Sequence, residues 1–249
     1  MGKIVAIGSG KLGQSKRLAD GSVIEQPVEI LEITREVVRL SGKDAPHLVF
    51  LATASGDDEL YIEGVLRHFA GLGCEVSALK LVSESPTDEE VRSAILGADI
   101  IYVGGGLTLK MLEVWRTRGV DNLLREAFGN GVVLSGSAAG AMCWFEFGIT
   151  NLSEFVGDSN MELAPVQCLG LIQGLCTPHA SKEPARVDFI RDRIKHEFIS
   201  SDGYAIDDCA ALIFEDGNVR SMVSAIGAER SAGVRKIALE NNEIVETKI

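Results

Sequence analysis

The stretch Gly131-Val-Val-Leu-Ser-Gly-Ser-Ala-Ala-Gly-Ala-Met-Cys-Trp144 constrains the fold of this chain more than any other. Residues 132–134 read as a short apolar strand and residues 139–145 as the opening of a helix, with only Gly136-Ser-Ala-Ala-Gly140 to join them. A junction that tight is the layout of a nucleophile elbow, which holds one side chain exposed at a sharp strand-to-helix turn. Gly136 can take a strained backbone angle, and the small Gly140 and Ala141 let the helix approach the strand closely. In the G-x-S-x-G pattern the nucleophile stands two residues after the first glycine, and here that position is Ala138. The frame of an acyl-transfer site is present and its hydroxyl is missing.

Upstream of the elbow the chain alternates apolar strands (3–7, 48–52, 75–81, 99–103) with helical patterns (28–40, 58–71, 87–96, 107–118, 120–128). Such alternation predicts a parallel sheet covered on both faces, with ligands beyond the carboxyl ends of its strands. Gly104-Gly-Gly106 and Ala138 both follow strand ends, so they are expected to be neighbours despite their separation in sequence. Ser55-Gly-Asp-Asp58 and Thr87-Asp-Glu-Glu90 read as helix starts of the capping kind. Gly8-Ser-Gly-Lys-Leu-Gly13 satisfies the dinucleotide-binding pattern, but the polar, Gly- and Pro-interrupted stretch after it is no helix, so a loop is expected there. Beyond residue 203, short strands separated by turns (204–206, 210–214, 219–224, 235–239, 243–246) predict an antiparallel meander on one edge of the sheet. With no linker or low-complexity tract, residues 1–249 read as a single domain, and 46% hydrophobic residues suffice for its core.

The formal net charge of -12 disfavours nucleic acid and anionic membrane as partners. No apolar run approaches the roughly 18 residues of a membrane span, and the N-terminus enters a strand directly without a leader pattern. Five scattered cysteines without a C-x-x-C fit reduced, buried thiols and a cytoplasmic setting. Cys143 has two readings, a displaced nucleophile or a small packed helix residue. No cluster has metal-ligand spacing, so neither metal nor organic cofactor is expected.

Gly136-Ser-Ala-Ala-Gly-Ala141 followed by Cys143-Trp-Phe145 resembles the Gly-x-Ser-Ala-Gly-[Ala/Ser] elbow of the dipeptidase E and cyanophycinase family of serine peptidases. Tyr102-Val-Gly-Gly-Gly106, Thr177-Pro-His179 and Gly203-Tyr-Ala-Ile-Asp-Asp208 resemble further blocks of that family in the same order, so the likeness runs from about residue 3 to about 225. It implies a three-layer α/β/α fold of the class I glutamine amidotransferase-like kind, and a serine-type peptidase acting on short peptides, Asp-containing ones among them.

Such an enzyme needs a base, an orienter for the base and donors for the oxyanion. Of the four histidines, His179 follows a strand-like segment and lies 41 residues after Ala138, a spacing similar to the family's. The family places an aspartate after the elbow helix where this chain has Gly148-Ile-Thr-Asn151, so the resemblance implies Asn151 as orienter, with Glu154, Asp158 and Glu162 as alternatives. Oxyanion donors would be the backbone N–H of Ala139 and one from Gly105 or Gly106. Leu107 stands where the family often has asparagine. Glu183-Pro-Ala-Arg186 resembles the segment that supplies an arginine to an acidic substrate side chain, which makes Arg186 the substrate-binding candidate.

Three functions follow from these residues. One is a peptidase whose nucleophile has been replaced at Ala138, taking a small peptide and compatible with a homo-oligomer. A second is a natural pseudoenzyme that binds an acidic peptide or a protein, favoured by the joint departures at Ala138, Asn151 and Leu107. The third is a glutamine-amidotransferase-like enzyme, which would need a cysteine at the elbow.

Overall fold

A computed structural model describes residues 2–18, 20–153, 162–196, 202–215, 218–224 and 232–249. In chain order the elements are β1 (Lys3–Ile7), β2 (Ser15–Arg17), β3 (Val23–Glu25), α1 (Leu31–Leu40), β4 (His47–Leu51), α2 (Glu59–Ala70), β5 (Glu75–Leu79), α3 (Asp88–Leu96), β6 (Ile100–Val103), α4 (Thr108–Arg118), α5 (Val120–Gly129), β7 (Val133–Ser137) and α6 (Ala139–Met142). They continue with β8 (Phe145–Asn151), β9 (Leu163–Gln167), β10 (Ile172–Thr177), α7 (Pro184–His196), β11 (Asp202–Ile206), β12 (Ala210–Glu215), β13 (Asn218–Val223), β14 (Val234–Glu240) and β15 (Glu243–Lys248).

The first sheet has the order β13-β12-β1-β7-β6-β4-β5. Its strands β1, β7, β6, β4 and β5 run parallel, as the strand–helix alternation predicts. They are buried on both faces: β4, β6 and β7 each carry runs of residues with almost no exposure. One layer is closed by α1 and α2, with Ile33, Val37 and Phe69 against Phe50 and Tyr102. The opposite layer is closed by α3, α4 and α5, with Ile95, Trp115 and Leu124 against Ile101 and Leu134. The Thr87–Glu90 capping box forms as read, but the Ser55–Asp58 one does not: Ser55 donates back to the Ala52 carbonyl in a short 3-10 turn, and Asp58 itself caps α2 by accepting the Tyr61 N–H. The glycine loop after β1 leads into the short β2–β3 ribbon and not a helix.

Two further expectations are corrected. The elbow helix is only four residues long, after which the chain enters β8, the start of a second sheet with the order β15-β14-β11-β10-β8-β9. The C-terminal strands are also not one meander. The hairpin β12–β13 adds antiparallel to β1 on the first sheet, while β14–β15 adds antiparallel to β11 on the second. Within the second sheet β8, β10 and β11 are parallel, and α7 packs Val187, Ile190 and Ile194 on their buried face. The carboxyl ends of β7, β10 and β11 supply the residues of the site.

Candidate active site

Ala138 follows the last residue of β7 with φ 54° and ψ −113°, in a region that non-glycine residues rarely occupy. Its N–H donates to the Ile7 carbonyl at 3.1 Å, and its carbonyl accepts from Ala141 and Met142. The turn is that sharp because nothing larger fits beside it. A Cβ on Gly136 or Gly140 would overlap the Val103 carbonyl of β6. Ala138 is half-exposed, whereas its neighbours Ser137 and Ala139 are buried. This is the sharp strand-to-helix turn that the sequence predicts, with a methyl side chain at its apex.

His179, two residues beyond β10, shares a cavity of about 190 Å³ with Ala138, Ala139, Gly106, Thr150 and Arg186. It also has a positive φ, 55°, so a second strained non-glycine residue borders the same space. Its Nδ1 lies 2.8 Å from Asp208 Oδ1. Because a carboxylate only accepts, Nδ1 carries the hydrogen and Nε2 is left as the acceptor. Parallel pairing accounts for the contact. β10 and β11 run in register with Thr177 opposite Ala205, so the residues just beyond both ends come out side by side.

Asp208 is also paired with Lys182. Burial alone would raise its carboxyl, but the hydrogen bonds from His179 and Lys182 outweigh that and hold it down to about 2. It is therefore an anion across the neutral range, as an orienter of imidazolium needs to be.

Asn151 does not meet His179. Its side-chain oxygen accepts the N–H groups of Ser153 and Glu162 at 3.2 and 2.9 Å, closing the end of the β8–β9 pair. Strand alternation sends Thr150 into the cavity and Asn151 to the other face. The carboxylate that meets His179 is Asp208, in the Gly203–Asp208 block that the sequence already marked. Glu162 lies at the same turn as Asn151, and Glu154 and Asp158 lie outside the described residues.

The glycine loop does abut the elbow: a Cβ on Gly105 would stand 3.3 Å from that of Ala138. The Gly105 N–H donates to the Tyr61 hydroxyl at 3.3 Å, while Gly106 and Ala139 both line the cavity. Gly106 has φ 142° and lies so close to the Ala54 carbonyl that no side chain is accommodated. Arg186 lines the cavity, but its guanidinium is engaged: Nε pairs with Glu183 and Nη1 donates to the Ile149 carbonyl at 2.8 Å. The expectation of a guanidinium open to a substrate carboxylate is corrected accordingly; it ties α7 to β8. Cys143 is fully buried, its thiol pushed up by burial and bonded to the Gly140 carbonyl, which makes it a packing residue.

A sharp strand-to-helix turn that shares a cavity with a histidine held by a half-buried carboxylate is an arrangement found in hydrolases. Residues 18–222 match the family described as Peptidase family S51. The chain is 37% identical over 216 residues to the uncharacterized peptidase YgaJ of Bacillus subtilis (strain 168), covering 87% of this chain and 88% of that one. It belongs to Peptidase family S51, the dipeptidase E family. Among solved structures, a peptidase from an acI-B1 Actinobacterium superposes with TM-score 0.68 at 17% identity, over 99% of this chain and 94% of that chain. A putative peptidase E protein from Listeria monocytogenes EGD-e superposes with TM-score 0.63 at 18% identity, over 90% of this chain and all of that one. Both share the fold.

Proposed function

We propose that this chain carries the site of a serine-type peptidase for short peptides, in a form that lacks the nucleophilic oxygen. The observation that carries the reading is the Asp208–His179 pair in one cavity with the strained Ala138.

With serine at position 138, the hydroxyl would pass its proton to His179 Nε2 as it attacks the scissile carbonyl. Nδ1–H, held by Asp208, keeps the ring in the tautomer that can accept it. The carbonyl oxygen, now negative, would be met by the N–H groups of Ala139 and Gly106. His179 would return the proton to the leaving amine, and water would release the acyl group by the same steps in reverse. With alanine the first bond cannot form, so the chain binds peptide without forming an acyl-enzyme. The alternative, a natural binding protein on this scaffold, is favoured by Leu107 and by the engagement of Arg186 within the protein.

The test is Ala138→Ser treated with a fluorophosphonate and analysed by intact mass and peptide mapping. The peptidase reading expects one adduct, at residue 138, in the variant and none in the parent. An unlabelled variant with an intact fold would favour the binding protein.

A further inference from the structure

A second cavity, of about 470 Å³, meets the His179 cavity at Ala138. Its walls are of a different character. Ser9, Gln14, Gln26 and Ser137 contribute neutral polar groups, and Asp58 is the one charged side chain among the described residues that line it. Asp58 Oδ1 accepts the Tyr61 N–H as the cap of α2, at 2.8 Å. Its charge is exposed at the cavity and paired with no described cation. The cation previously available for an acidic substrate, Arg186, lies in the other cavity and is bound to Glu183 and Ile149. The protein as a whole carries a formal charge of -12, which lowers the local concentration of anions further.

Resting on the reading of Ala138 as the centre of a peptide site, we infer that this cavity takes an ammonium-bearing residue of the substrate, with Asp58 as the counter-charge. The amides of Gln14 and Gln26 complete a polar, uncharged wall around it. The preferred peptides are therefore cationic, and aspartyl peptides are disfavoured at this subsite. The ammonium is that of a lysine side chain, because the α-amine is common to every free dipeptide and would give no preference for cationic over aspartyl ones.

The chain as it stands cannot turn substrate over at residue 138, so affinity can be read directly by titration calorimetry. The probes are Lys-Ala, Ala-Ala, Nα-acetyl-Lys-Ala and Asp-Ala, against the parent and Asp58→Asn. Asparagine caps a helix as well as aspartate does, so the variant removes the charge and keeps the helix start. Lys-Ala should bind about tenfold or more tightly than Asp-Ala, and Asp58→Asn should abolish the difference. Nα-acetyl-Lys-Ala should keep most of the affinity and Ala-Ala should bind more weakly; loss of binding on acetylation with Lys-Ala, Ala-Ala and Asp-Ala bound alike would overturn the inference. A preference for Asp-Ala, a preference unchanged in Asp58→Asn, or no binding of any probe would overturn the inference. The peptidase reading fails separately: an unlabelled Ala138→Ser that keeps the charge preference would refute that chemistry and leave the subsite standing.

Discussion

Replacing Ala138 with glycine should stabilise this protein, the reverse of what that change normally does. An alanine-to-glycine change usually costs about 0.5–1 kcal/mol, because glycine loses more backbone freedom on folding. Here the methyl group is half-exposed, so losing its contacts adds only a few tenths of a kcal/mol. Against both stands the strain of a β-carbon at φ 54° and ψ −113°, of order 1–3 kcal/mol, which glycine removes. The central expectation is a net gain of about 1 kcal/mol. Ala139→Gly is the control: Ala139 is buried and opens α6, and its loss should destabilise by about 1 kcal/mol. Urea unfolding of the two variants and the parent at pH 7 gives both numbers. If Ala138→Gly is destabilised as much as Ala139→Gly, the elbow is not strained and the argument for a stored geometry at residue 138 is wrong.

Two further outcomes follow from His68 and from two glycines. His68 is half-buried with Nε2 2.8 Å from the Thr34 hydroxyl, and burial lowers its pKa to about 4 from an ordinary 6.5. A folded pKa below the unfolded one means full stability above about pH 6.5 and progressive loss as pH falls towards 4. Between pH 7 and 5 the parent should lose about 1–2 kcal/mol more than His68→Gln in urea unfolding; equal losses would contradict the burial argument. Gly140→Ala would drive a Cβ into the Val103 carbonyl and should cost about 3 kcal/mol or more, while Gly129→Ala, with open space around it at the end of α5, should be neutral or slightly stabilising. Similar thermal midpoints for the two variants would show that β6 yields to the elbow helix.

The parallel half of the first sheet was readable because its strands are short apolar runs and its helices carry their own caps, Asp58 and Thr87 among them. The elbow was readable for a steric reason, since only small residues survive where Gly136 and Gly140 touch β6. The second sheet was not. A hairpin pattern says that β12 pairs with β13 but not that β12 also joins β1, some two hundred residues earlier, while β14 joins β11 in another sheet. The partner of His179 was illegible for the same reason: the family resemblance points to Asn151, whereas Asp208 reaches His179 through the parallel pairing of β10 and β11. An acid directly beyond the strand Asp202–Ile206 was the available signal. Glu183, three residues before Arg186 on one helical turn, likewise foretold that the guanidinium would find an internal partner.

The most direct test of the Asp208–His179 assignment is the hydrolysis rate of Ala138→Ser, alone and combined with Asp208→Asn or Asn151→Ala, on a panel of dipeptides that includes lysyl and aspartyl members. Ala138→Ser should cleave at least one of them. Asp208→Asn should then reduce kcat/KM by about 10³–10⁴-fold by disturbing the tautomer and charge of His179, and Asn151→Ala should leave it within a few-fold once the protein is shown to be folded. No cleavage by the folded Ala138→Ser variant, or a large loss from Asn151→Ala with none from Asp208→Asn, would contradict the account.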